Sequence, residues 1–143
     1  MRLQLALNVK DLEKAVEFYS RMFGVEVNKR KPGYANFAID SPPLKLVLFE
    51  VPDAEERLNH LGVEVFGEGD VEVATERLKQ AGMADLVEDQ VTCCYAKSDK
   101  VWATEPDGIR WEWYRVLEDA ATFSGSDEPA PEQPQAPESA GCC

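Results

Sequence analysis

The chain has 143 residues, 27 acidic and 15 basic, for a formal net charge of −12. That length suits one domain or two small modules sharing a core, and the acidic balance excludes nucleic acid as a partner, because nothing here would neutralise phosphates. No stretch approaches the ~20 apolar residues of a membrane span, and MRLQLALNVKD lacks the apolar run of a signal peptide, so a cytoplasmic protein without membrane contact is expected.

In chain order, LQLALNV alternates apolar and polar residues and predicts a strand. It leads into DLEKAVEFYSRMFG, a predicted helix with Asp11 as N-cap, a stripe of Leu12, Ala15, Val16, Tyr19, Met22 and Phe23, and Gly24 as the stop. Three strands are expected next, in VEVNK, YANFAID and LKLVLFEV, with turns at Pro32-Gly33 and Ser41-Pro42-Pro43. After the linker PDAEERLN the pattern begins again. HLGVEV reads as a strand, DVEVATERLKQAG as a helix closed by Gly82, and MADLVEDQ, KVWATE and IRWEWYRV as strands. The order βαβββ occurs twice, which predicts an α+β domain over residues 1–116, with module one at 1–52 and module two at 58–116. Residues 117–143 are rich in proline and acidic residues, hold no lysine or arginine, and read as a disordered tail ending in Cys142-Cys143.

Aligning the two modules places QLALNV on HLGVEV and LKLVLFEV on the end of GIRWEWYRV, so Gln4 falls on His60 and Val47 on Glu112. Period-two alternation puts Leu5, Leu7 and Val9 on one side of their strand, with Gln4, Ala6 and Asn8 on the other. By the same rule His60 opposes Leu61 and Val63, and Glu112 opposes Trp111 and Trp113. The apolar sides want helices, which leaves Gln4, His60 and Glu112 on a concave sheet face. One amide, one imidazole and one carboxylate fill three positions of an octahedral metal and leave the others open. A lone histidine at a strand start is more often an ordinary surface or core residue. The repeat-related placement of all three raises them to a candidate metal centre.

The doubled βαβββ unit, LNVKDLEKAVEFYSRMFG, LNHLGVEV and EPDGIRWEWY together resemble the vicinal oxygen chelate superfamily, which includes glyoxalase I, bleomycin-resistance proteins and extradiol dioxygenases. The similarity covers about residues 1 to 116. It implies metal ligands at Gln4, where histidine is more usual, and at His60 and Glu112. The fourth ligand position of glyoxalase I is Val47 here, which binds no metal.

All four cysteines stand in adjacent pairs, Cys93-Cys94 and Cys142-Cys143, which staple no loop. For Cys93-Cys94 three readings compete: a buried inert pair, a zinc site without the second ligand pair it needs, and a clamp for a trivalent arsenical. An arsenical RAs(OH)₂ carries two exchangeable hydroxyls, and two neighbouring thiols displace both, with Lys97 and Lys100 available to favour the thiolates. Combined with the metal set, the pair resembles the carbon–arsenic lyases. That resemblance implies Fe(II) as cofactor, an organoarsenical and dioxygen as substrates, and Cys93 and Cys94 as the substrate-binding and catalytic thiols. Thr92 to Asp99 is expected to be a polar loop and lid lined by Tyr95 and Lys97. Other readings are a glyoxalase-like metal isomerase and a non-enzymatic binder of soft metals or drugs. The chain is expected to act as a monomer or homodimer.

Overall fold

A computed structural model describes residues 1–121. The elements are β1 (Arg2–Val9), α1 (Leu12–Phe23), β2 (Lys29–Lys31), β3 (Tyr34–Ile39), β4 (Leu44–Glu50), β5 (Leu58–Glu64), α2 (Asp70–Gln80), β6 (Leu86–Cys93), β7 (Ala96–Thr104) and β8 (Arg110–Asp119). Both predicted βαβββ units form. They join into one curled mixed sheet of eight strands, in the order β2-β3-β4-β1-β5-β8-β7-β6. The first strands of the two modules, β1 and β5, pair antiparallel at the centre. Each then takes the last strand of its own module as a parallel neighbour, β4 beside β1 and β8 beside β5.

Helix α1 forms where the sequence caps it, whereas α2 starts at Gly69 with no side-chain cap. The Asp11 side chain accepts from the Lys14 amide, and Gly24 takes the left-handed conformation, φ 65°, that ends α1. The apolar stripe of α1 then covers the outer face of the first half-sheet, where Leu12 and Val16 pack with Val9, Phe37, Ile39, Leu46 and Leu48. On the second half, Ala74 and Leu78 of α2 pack on Val101, with Trp113 and Ala103 at the margin. Apolar side chains thus fill the helix-covered side, and the opposite side carries the buried polar residues Gln4, His60 and Glu112 beside a second apolar cluster around Tyr34, Val47 and Phe49.

Three expectations change. VEVNK is not a strand: Val25 and Val27 pack into the α1 core, and pairing begins only at Lys29, opposite Asn36. The burial of the two valines ties that segment to the helix and keeps it out of the ladder. Thr92–Asp99 is not an open loop but the tight end of the β6–β7 hairpin, closed by Cys94 and Tyr95 between the paired Cys93 and Ala96. The domain also extends past Val116, because β8 continues to Asp119 and pairs Glu118 with Lys97 and Asp119 with Ala96. An ion pair from Lys29 to Asp119 reinforces that extension. The remainder of the expected tail, with Cys142 and Cys143, lies outside the described residues.

Candidate active site

Strand register explains how three residues distant in sequence meet. Gln4 on β1 lies opposite Gly62 on β5, and Gly62 lies opposite Glu112 on β8, so one line crosses three central strands. His60 stands two residues from Gly62, on the same face of β5. All three side chains are at least 98% buried. Gln4 Nε2 donates to Glu112 Oε1 at 2.7 Å and lies 3.0 Å from His60 Nε2, while His60 Nε2 is 3.1 Å from Glu112 Oε1. The other side of each group is also held. His60 Nδ1 is 2.8 Å from Asn59 Oδ1, Asn59 Nδ2 donates to Asn8 Oδ1 at 3.0 Å, and the Tyr114 hydroxyl donates to Gln4 Oε1.

His60 Nε2 and Glu112 Oε1 lie 3.1 Å apart and both face the Gln4 amide, so a metal that replaced the His60–Glu112 bond could take both atoms together. Among the described residues no group of three His, Cys, Asp or Glu side chains gathers to hold a metal. His60 and Glu112 could hold a metal with Gln4 as a third ligand only through its Oε1, which here accepts from the Tyr114 hydroxyl. Gly62 keeps the space between the donors open, since a Cβ there would lie 3.0 Å from Glu112 Cγ and 3.3 Å from Gln4 Nε2.

Burial alone would raise the Glu112 pKa. The Lys100 ammonium, 3.3 Å from Glu112 Oε2, together with the bonds from His60 and Gln4, overrides that effect and holds it at about 2. Glu112 is therefore an anion at neutral pH although it is fully buried. Lys100, itself 99% buried, was assigned no site role in the sequence beyond favouring thiolates. The signal was its register: it alternates with Ser98 on one face of β7, while Lys97 and Asp99 take the other.

The thiols sit at the edge of the same face. Cys93 and Cys94 are buried, with their Sγ atoms 3.1 Å apart, in a cluster with Ala6, Tyr34, Val47, Phe49 and Tyr95. Their turn has positive φ at both central residues, 52° at Cys94 and 63° at Tyr95, as a type I′ hairpin requires. Neither is glycine or asparagine, so local strain is stored at the thiol pair. A small cavity of about 20 Å³ is lined by Gln4, Tyr34, Val47, both cysteines, Lys100 and Glu112, among others, and so joins the two constellations. It has room for about one water. A larger hollow on the outside of α1, beside Phe18 and Met22, contains none of these groups.

Tyr95 is buried against Tyr34, ring centroids 5.6 Å apart, and its pKa is raised by desolvation and by the neighbouring Cys94. Lys97 is a correction. It points to the other side of β7 and pairs with Glu118 at 3.5 Å, and the lysines that line the cavity are Lys45 and Lys100. Val47 lines the cavity without offering a donor.

Residues 3–113 match the Glyoxalase/Bleomycin resistance protein/Dioxygenase superfamily, and the chain belongs to it. Within that class it is 58% identical over 122 residues to the cadmium-induced protein CadI of Mycobacterium tuberculosis (strain ATCC 25618 / H37Rv), a match covering 85% of this chain and 80% of that one. It is 49% identical over 149 aligned positions to the trivalent organoarsenical cleaving enzyme of Thermomonospora curvata, covering 99% of both chains. Among solved structures, the Mn(II)-bound glyoxalase from Novosphingobium aromaticivorans superposes with a TM-score of 0.60 at 19% identity, covering 91% of this chain and 44% of that one. That last likeness concerns the fold alone. No helix among the described residues is long and apolar enough to cross a membrane.

Proposed function

We propose that this chain is an Fe(II)-dependent dioxygenase that cleaves the carbon–arsenic bond of trivalent organoarsenicals and releases arsenite. The observation that carries the reading is the shared cavity: a buried pair of thiols, 3.1 Å apart, opens onto the same small space as Gln4 and Glu112. The name of the Thermomonospora curvata relative supports the substrate class.

Gln4, His60 and Glu112 would hold the iron, whose role when bound is to activate dioxygen. The side chains perform the remaining work. Cys93 and Cys94 displace the two hydroxyls of RAs(OH)₂, each thiol proton leaving with a hydroxyl as water, and two As–S bonds replace two As–O bonds. Arsenic stays trivalent, and its carbon arm is left free to face the Gln4–Glu112 side of the cavity. Fixing both partners makes their encounter effectively intramolecular. Tyr34, Val47 and the hairpin exclude bulk water, and Lys100 keeps Glu112 ionised. For a methyl substituent the atoms of methylarsonous acid and one dioxygen balance as formaldehyde and arsenous acid. Because the clamp needs reduced thiols, the reading also assigns the protein to the cytoplasm.

A second reading is capture of a soft cation by the buried thiol pair without turnover, which the 3.1 Å Sγ separation also suits. Arsenic speciation distinguishes the two. The protein is given methylarsonous or phenylarsonous acid with and without Fe(II) and with and without oxygen. Arsenite is expected only when both are supplied. Tight arsenical binding with no arsenite released in iron-loaded, aerated protein would overturn the lyase and leave the capture reading.

A further inference from the structure

Neighbouring residues on a strand send their side chains to opposite faces. Cys93 and Cys94 do not. The positive φ of 52° at Cys94 breaks the alternation where β6 ends, so both residues line one cavity with their Sγ atoms 3.1 Å apart. No disulfide joins them. A disulfide bond is about 2.05 Å long, so closing one here takes an approach of about 1 Å. The cavity that reaches both sulfurs has room for about one water, a size nearer to hydrogen peroxide than to any organoarsenical.

We infer that Cys93-Cys94 is a reversible oxidation site, where hydrogen peroxide closes a vicinal disulfide and switches arsenical capture off. The inference rests on the arsenical clamp proposed above. One thiolate attacks the peroxide, an S–O bond forms as the O–O bond breaks, and hydroxide leaves and takes a proton as water. The second thiol then displaces that oxygen from the sulfenic acid, again as water, and the S–S bond forms. Two thiols and one hydrogen peroxide thus become one disulfide and two waters, each sulfur giving up one electron. Adjacent Cα atoms lie about 3.8 Å apart, short of the ~4.4–6.8 Å of ordinary disulfides, and that constraint makes the bond easily reduced. Two molecules of glutathione restore the pair by exchange and leave as glutathione disulfide. The closed pair has no thiol with which to displace the hydroxyls of RAs(OH)₂.

The test uses the full chain carrying Cys142→Ser and Cys143→Ser, whose only cysteines are the hairpin pair. A stoichiometric amount of hydrogen peroxide is expected to remove two hydrogens from the tryptic peptide of residues 80–97 and to block its alkylation, with the circular dichroism spectrum unchanged. Phenylarsonous acid binding should fall about 100-fold or more in the oxidised protein. Millimolar glutathione should restore that binding together with both thiols. Alkylatable thiols after peroxide, sulfinic acid at either cysteine, or a disulfide that glutathione leaves in place would overturn the switch and leave the clamp intact. Undiminished phenylarsonous acid binding with the disulfide verified would overturn the clamp and the switch together.

Discussion

Glu112 unites full burial with full ionisation, which only specific partners permit. Its folded pKa of about 2 lies below the ordinary 4.5, so its stabilising interactions are complete above about pH 5 and are lost as pH falls toward 2. In protein stripped of metal, the shift corresponds to stability on the order of 3 kcal/mol at neutral pH. Replacing Glu112 by Gln should flatten the acid limb of a denaturant-midpoint profile between pH 5 and 2. A limb of unchanged steepness would show that another group controls it. Lys100→Met removes the cation and leaves the carboxylate buried, a change expected to cost about 3–5 kcal/mol. At Gly62 an added methyl must displace Glu112 Cγ or the Gln4 amide. Gly62→Ala should weaken Fe(II) binding about 10- to 100-fold, as misaligned ligands do elsewhere, with the melting temperature little changed. Iron content measured after dialysis checks it. His60→Ala should lose the metal altogether while keeping the native circular dichroism spectrum.

At the scale of the element, the β6–β7 hairpin matters most. Its tip holds two residues at positive φ and its β6 arm a third, Gln90 at 52°, where the register slips between Glu88 and Val91. Gln90 is exposed, and its amide donates to Asp99 Oδ1 at 2.7 Å, so its side chain is not needed for that bond. Gln90→Gly is expected to raise stability by up to about 1 kcal/mol through relief of the left-handed strain, read as a higher denaturant midpoint. The tip differs, because strain there is held by burial of Cys93, Cys94 and Tyr95. A cavity of about 20 Å³ is too small for an arsenical, so the proposed reaction requires the lining to move. Serine at either Cys93 or Cys94 should reduce organoarsenical affinity on the order of 100-fold or more, since the second bond of the clamp is intramolecular. Iron content should stay normal in those variants, which separates substrate capture from metal loading.

For the whole molecule, the site depends on one continuous sheet. Gln4 comes from module one and His60 and Glu112 from module two, so a single chain brings all three together at the β1–β5–β8 junction. The hairpin in turn depends on the far end of β8. Truncation after Val116 deletes the partners of Ala96 and Lys97 and the Lys29–Asp119 ion pair. It should lower the melting temperature by several degrees and speed amide exchange at the hairpin tip. Truncation after Ala121 retains those pairs and should leave both measurements near the full-length values.

The sequence by itself determined the doubled βαβββ plan, the capped helix at Asp11 and the polar face that carries Gln4, His60 and Glu112. Those features follow from periodicity and local chemistry, which act over a few residues and need no partner to be read. The repeat also placed Val47 opposite Glu112 in the pseudo-symmetry, and both line one cavity. Tertiary structure alone decided what depends on pairing across the sheet. Residues 92–99 read as a loop because nothing local indicates that Cys94 and Tyr95 will take positive φ. Burial against Tyr34 and Ala6 accompanies that turn. Lys97 and Lys100 look alike in sequence, yet strand alternation sends one to Glu118 and the other to Glu112. Gly62 reads as a weak strand residue until register sets it between two ligand candidates. Such roles arise from contacts across paired strands, for example those of Gln4 with His60 and with Glu112, 56 and 108 positions apart, and no local propensity encodes distances of that kind.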